Sequence, residues 1–220
     1  LDFGARFYDP DGVTFLQQDP LMEKYSFIGQ YNYCIGNPIR YIDPNGMDIW
    51  EISPTGNITT IKDDKITKIS FVDEKGEEKK GYEFSKNDIS YREDKDQDGN
   101  SVYLFEIKGD DKAEQIYNRS LVHTQNEQEF ELVRIGDDAS ERNIVGTSKS
   151  QAQSGVGTTL LNSNYTIREH YHNHPSGNNK PSDADNTFAK DARKYYPKAS
   201  FYINVFQKIN GKTRLTKNAY

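Results

Sequence analysis

Between residues 49 and 108, Ile, Tyr, Phe and Val alternate with Lys, Asp and Glu, and the alternation breaks at Pro54-Thr55-Gly56, Glu74-Lys75-Gly76 and Asp98-Gly99-Asn100. Side chains on a strand change face at every residue, so this pattern predicts short strands joined by hairpins, a β-rich spacer over residues 49–108. Asp94, Asp96, Asp98 and Gly99 begin like a calcium loop, but the twelfth position is Phe105 and Glu106 comes one residue late. With the bidentate carboxylate misplaced, the stretch reads as a hairpin turn. Beyond it the period changes. Ala113, Ile116, Tyr117 and Leu121 fall on helical spacing, which predicts an amphipathic helix from Asp110 to about Thr124. Leu132 to Ile135 and Asn143 to Gly146 read as strands around a turn at Gly136-Asp137-Asp138, and Ser148 to Ser163, rich in Ser, Gly, Thr and Gln, reads as flexible. Tyr165 to His174 alternates again. Phe188, Ala189, Ala192 and Tyr195 then predict a helix from about Ser182 to Tyr196, which Pro197 ends. Ser200 to Phe206 is a strongly apolar strand, and Arg214 onward suits another. Helix, strands, helix and strand over residues 109–220 predict an α/β sandwich, within a chain that is α+β overall.

Leu1 to Asp48 has a different character. It is rich in Phe and Tyr and is punctuated by Asp9-Pro10-Asp11-Gly12, Asp19-Pro20 and Asp43-Pro44-Asn45-Gly46. Asp first, Pro second and Gly fourth suit a type I turn, so the segment reads as turn-rich β-structure. The chain opens at Leu1 in what reads as mid-strand, as expected of a piece of a longer protein.

Composition adds bounds. The 220 residues are 34% hydrophobic and 28% charged, which suits one or two globular domains. No run of about 18 apolar residues suggests a membrane span, and no charged-then-apolar leader resembles a signal peptide. Cys34 is the single cysteine, which excludes an internal disulfide framework and a cysteine-ligated zinc site. The net charge of -6 is unevenly spread: from residue 161 on, ten basic residues stand against four acidic ones. They are dispersed rather than clustered, so this basic end reads as a solvated face and not as a nucleic-acid stripe.

The stretch Tyr171-His172-Asn173-His174-Pro175, leading to Pro181-Ser182-Asp183-Ala184-Asp185, gathers the candidate chemistry. On a strand, His172 and His174 project from one face. The Gly- and Asn-rich loop that follows cannot stay extended, and Ser182 is a good N-cap with Asp185 in the first turn. Such a turn can fold back on the strand and bring a carboxylate to the two imidazoles. Two His and one Asp leave one corner of a tetrahedron for water, the pattern of a catalytic rather than a structural zinc. His170, two residues earlier on the same face, reads as a supporting or solvent-facing residue, since three ligands and water already complete the set.

His172, His174, Pro175, Ser182 and Asp185 together match the signature of the JAB/MPN (JAMM) zinc metallopeptidases, and from Asp110 to Tyr220 the chain resembles that family. The resemblance implies a JAB/MPN (cytidine deaminase-like) fold and Zn2+ held by His172, His174 and Asp185. It implies Ser182 as a holder of the reacting carbonyl oxygen, and an upstream glutamate as general acid/base. The family's Glu-x-x-Gly-x-x-x-Gly pattern is met in part by Glu129 to Gly136, with Leu132 in place of the inner glycine; Glu127 and Glu131 stand as alternatives. The implied chemistry is hydrolysis of a peptide or isopeptide bond in a protein substrate, including ubiquitin-like conjugates.

Gly4-Ala5-Arg6-Phe7-Tyr8-Asp9-Pro10, Asp19-Pro20-Leu21, Tyr31-Asn32-Tyr33-Cys34 and Asn37 to Gly46 resemble the Rhs/YD-repeat-associated core, which precedes variable toxin domains. Residues 1–48 are then the end of that core and 109–220 a toxin domain. That resemblance implies a larger Rhs polypeptide, delivery by a bacterial secretion system, action in a target cell's cytoplasm and a cognate immunity protein. It also implies a self-cleaving carboxylate pair, Asp19 and Asp43, though Asp19 lacks the glycine of its motif. Two other function classes compete. His-Asn-His is similar to an HNH nuclease string, but these histidines lie on one strand instead of being split across a ββα unit. A JAB/MPN-like binding domain without catalysis is the third.

Overall fold

A computed structural model of the chain describes residues 8–9, 14–15, 48–62, 66–137, 139–150, 155–161, 165–209 and 212–220. It divides into two units, Leu1–Gly46 and Met47–Tyr220. In the first, β1 (Tyr8–Asp9) pairs antiparallel with β2 (Thr14–Phe15). Asp19 and Asp43, the suggested self-cleaving pair, lie outside the described residues.

The second unit starts with β3 (Asp48–Ile52), β4 (Ile58–Lys62), β5 (Thr67–Val72) and β6 (Glu78–Phe84), a four-stranded sheet in the order β4-β3-β5-β6. It continues with β7 (Ile89–Lys95), β8 (Ser101–Lys108), α1 (Asp110–His123), β9 (Glu131–Ile135), β10 (Arg142–Thr147) and α2 (Val156–Leu161). The last elements are β11 (Ile167–Asn173), α3 (Asp183–Tyr195), β12 (Ser200–Ile209) and β13 (Lys212–Ala219). β7 to β13 form one seven-stranded sheet in the order β13-β12-β11-β9-β10-β8-β7. The pairing runs straight across residue 108: β8 pairs with β10, so two strands of the expected spacer belong to the same sheet as the histidine strand.

Alternation along these strands builds two apolar clusters, one on each face of the sheet. Phe105, Ile107, Leu132 and Val145 join Ala113, Ile116, Tyr117 and Leu121 of α1, together with Trp50, Ile52, Ile69 and Phe71 of the smaller sheet. Val102, Leu104, Val133, Ile135, Ile144 and Phe201 join Val156 and Leu160 of α2 and Ala189 and Ala192 of α3. The helical spacing of α1 therefore does what it predicts, presenting one stripe to the sheet. Trp50 meets Phe105 edge-on at 5.7 Å, and Phe71 meets His123 at 5.3 Å, tying the smaller sheet to this layer. The Asp96 turn between β7 and β8 is the expected hairpin: Asp96 Oδ1 accepts from the backbone N–H of Asp98 and Asn100.

One expectation needs correction. Residues 156–161, within the stretch read as flexible, form α2. Its single turn and a half is held by tertiary contacts that no local pattern announces: Val156, Gly157 and Leu160 are buried.

The crossover from β11 to β12 fixes where the chemistry sits. These two strands pair in parallel, so the chain must travel back along the sheet between them, and α3 makes that return. The start of α3 consequently lies by the end of β11, where His172 and His174 are. Among the described residues no helix is long and apolar enough to cross a membrane.

Leu121 is fully buried between α1 and both sheets. Leu121→Ala is expected to cost about 2 to 5 kcal/mol by loss of transfer energy and cavity formation. Trp50, the only tryptophan and itself in this cluster, gives the signal. Urea unfolding followed by its fluorescence should show a lower midpoint with an unchanged slope.

Candidate metal centre

His172 leaves β11 on the α2/α3 side, while His174 follows just after the strand end. Their Nε2 atoms are 3.0 Å apart. Asp185 reaches them from the first turn of α3, with Oδ1 3.3 Å from His172 Nε2 and Oδ2 3.2 Å from His174 Nε2. Among the described residues this is the one group of three or more side chains able to share a metal ion.

The first turn of α3 is itself well specified. Asp185 N–H donates to Ser182 Oγ at 3.1 Å, and Ser182 N–H donates to Asp185 Oδ2 at 2.6 Å, a reciprocal capping box. Capping and proximity to the imidazoles are therefore properties of one carboxylate. His174 Nδ1–H donates to the carbonyl of Asn178 at 2.9 Å, which keeps that nitrogen protonated and turns the Nε2 lone pair to the cluster.

The geometry fits zinc. Ligand atoms bound tetrahedrally at about 2.0 to 2.2 Å stand about 3.3 to 3.6 Å from one another, and here one atom from each of the three side chains lies within 4.8 Å of the others, close enough for small side-chain shifts to close the set on an ion. Two neutral imidazoles and a carboxylate are a donor set zinc accepts. His170 is not drawn into the set. Its Nε2 lies 2.5 Å from Glu131 Oε2, so the ring supports a neighbouring carboxylate instead.

A cleft of about 400 Å³ opens beside the cluster, and Glu129, Glu131, His170, Thr158, Ser182 and Phe188 share its walls with His172, His174 and Asp185. The three candidate glutamates are in different situations. Glu127 is exposed and does not line the cleft. Glu131 is buried and occupied: Oε1 accepts from Val156 N–H at 3.1 Å, and Oε2 from Gly157 N–H at 2.7 Å as well as facing His170. Glu129 is buried in the wall. Desolvation, and then the negative charges of Glu131 and Asp185, push its pKa up to about 9. The members of the triad respond to burial and to each other. Burial lowers the pKa of His172 against the pull of Asp185, whereas at His174 the hydrogen bond to Asp185 prevails and raises it. Burial works to raise the Asp185 carboxyl, but the two imidazoles outweigh it and hold it well below the usual carboxylate range.

Glu131, His170 and α2 form a support that the sequence did not announce. Gly157 packs so closely that an added Cβ would lie 2.6 Å from Phe188 Cζ and 2.9 Å from both Glu131 Oε2 and His170 Nε2. Only glycine leaves room for the backbone to reach that carboxylate. The available signal was the Gly155-x-Gly157 pair inside an otherwise unremarkable Ser/Thr-rich run.

Residues 105–195 match the family model described as JAB-like toxin 1. The match supports a JAB-like toxin domain and takes in His172, His174, Ser182, Asp185 and all three glutamates. The mixed arrangement of sheets and few helices is consistent with such a domain, and the triad is consistent with JAB-like zinc binding. No curated protein and no solved structure matches the chain.

The state of Glu129 gives a pH-dependent prediction. A carboxyl at about 9 in the folded, metal-free protein, against an ordinary 4.5, binds more protons folded than unfolded. Its contribution is fully favourable below pH 4.5 and is lost as pH rises from there toward 9. Glu129→Gln should therefore stabilise the metal-free protein at pH 8 by at least about 1 kcal/mol and leave stability at pH 4 unchanged, as read by urea unfolding at both pH values.

Proposed function

We propose that the JAB-like part of this chain is a zinc-dependent peptidase or isopeptidase. In this reading it is the toxic end of an Rhs polypeptide and acts on a protein, including ubiquitin-like conjugates, in the cytoplasm of a competitor or host cell. The observation that carries the reading is the meeting, in one cleft, of a three-ligand set with a buried carboxyl that belongs to none of the ligands.

His172, His174 and Asp185 would hold the ion. Zinc bound there supplies Lewis-acid chemistry, polarising a carbonyl oxygen and acidifying a water at neutral pH. Glu129 takes a proton from the attacking water and returns it to the leaving amine. In the metal-free protein burial and the neighbouring carboxylates favour its protonated form, the form that serves the second of these two transfers. Ser182 spends its oxygen lone pair on the Asp185 N–H, and its hydroxyl proton serves the carbonyl oxygen of the substrate as negative charge grows there. Glu131 and His170 hold α2 as one wall of the cleft and take no part in the transfer. The resemblance of residues 1–48 to an Rhs core supports the toxin context, delivery by a secretion system and a cognate immunity protein as partner.

Metal analysis of purified protein should find one zinc per chain. His172→Ala and Asp185→Ala should lose it, while Glu129→Gln retains it but loses at least about 10²-fold in peptide hydrolysis. Plasmid DNA, RNA and a mixed protein extract, each incubated with and without chelator, give the decisive comparison. Chelator-sensitive cleavage of protein alone is expected; cleavage of DNA would replace this reading with a nuclease.

A further inference from the structure

Asn173 stands between the two histidine ligands, and its side chain points to the opposite face of the sheet. It is completely buried. Its Oδ1 accepts from Phe130 N–H at 2.7 Å, and its Nδ2 donates to the carbonyl of Gln128 at 2.9 Å and to Asn126 Oδ1 at 2.8 Å. The amide thus grips the backbone on both sides of Glu129.

The position explains why a side chain is needed. In the β9–β11 ladder His172 faces Glu131, so the next pair outward would be Asn173 and Phe130. Regular pairing stops there. The side chain of Asn173 takes over the role of the backbone ladder and lets residues 126–130 turn away from strand geometry without leaving a buried N–H or C=O unmatched. The segment requires such support, because Gln125 and Asn126 adopt left-handed conformations at φ 51° and 61°. Three further bonds complete the grip. Asn126 Nδ2 donates to the carbonyl of His174 at 3.0 Å, Thr147 Oγ1 donates to the carbonyl of Glu129 at 2.7 Å, and Glu129 N–H donates to the carbonyl of Ser150 at 2.8 Å.

We propose that Asn173 is a positioning residue that fixes the Glu129 backbone against the strand bearing the metal ligands, so that the base and the ligands share one rigid register. The inference rests on Glu129 acting as the proton carrier. Its physical content is a distance constraint: a base displaced by about 1 Å from its working geometry loses on the order of 10² in rate.

The test combines exchange, metal content and kinetics for Asn173→Ala, with Asn173→Asp as a second variant that keeps the side-chain volume and the acceptor for Phe130 N–H. Amide hydrogen exchange on the metal-free protein should show Phe130 and its neighbours in 126–130 exchanging at least about tenfold faster in Asn173→Ala, with β10, β11 and β12 unchanged. Asn173→Asp should keep Phe130 protected and loosen the neighbours of Gln128. Both variants should bind zinc with full stoichiometry. On the peptide cleaved fastest by wild type in a digest of a cell extract, kcat should fall about 10²-fold for Asn173→Ala with KM within twofold. Unchanged Phe130 exchange, a uniform loss of protection across the sheet, or loss of zinc would each overturn the proposal. If zinc-loaded wild type cleaves no peptide, the peptidase reading falls, and the exchange comparison still decides whether Asn173 fixes this segment.

Discussion

One carboxylate sets the geometry of the whole site. Asp185 closes the first turn of α3 by accepting from Ser182 N–H at Oδ2, while Oδ1 faces His172 and Oδ2 faces His174. These tasks cooperate because a parallel β11–β12 pair forces the chain to return through a helix whose start lies at the end of β11. The helix cap would be formed in any protein with Ser-x-x-Asp at that place; the crossover is what aims it at the histidines. Sheet topology and side-chain chemistry therefore have to be right together, and neither alone would bring this triad together.

Around that carboxylate the protein gathers more ionisable groups than a cleft of this size would hold at no cost. Glu129, Glu131, His170, His172, His174 and Asp185 all line it. Each is managed differently. Asp185 is held charged by two imidazoles, Glu131 is saturated by backbone N–H groups and His170, and Glu129, with no such donor among the described residues, is kept protonated by burial and the nearby negative charges. Carboxylates in neighbouring positions with opposed environments are the usual basis for dividing proton-carrying from structural work. This division is a feature of the folded backbone and costs stability at Glu129, consistent with a site shaped for chemistry instead of for folding.

Much of this could be read from residue order because it depends on short-range rules. The alternation at Tyr165–His174, the helical spacing of Phe188, Ala189 and Ala192 and the Ser182 cap are local, and they place the three candidate ligands without any knowledge of the sheet. What was illegible depends on contacts distant in sequence. α2 is six residues long, too short to announce itself by period, and exists because Gly157 can approach Glu131 and His170. The choice among Glu127, Glu129 and Glu131 turns on which backbone N–H groups arrive from residues 156 and 157, more than two dozen positions later. Nothing in the residue order marks the structural role of Asn173, because its partners, at 126–130, are over 40 residues earlier.

The pairing of β8 with β10 and of β11 with β12 also bears on how the chain can be divided. A polypeptide trimmed to residues 105–195 would keep every group of the metal centre. It would leave the histidine strand with an open edge where Tyr202 and Ile203 had lain against it, and β10 would lose Leu104 and Tyr103, the partners of Gly146 and Thr147. Two unsatisfied edges beside the cleft invite association between copies. A piece that keeps these pairings is longer than the matched stretch: it carries both flanking strands, and the smaller sheet whose Trp50 packs on Phe105.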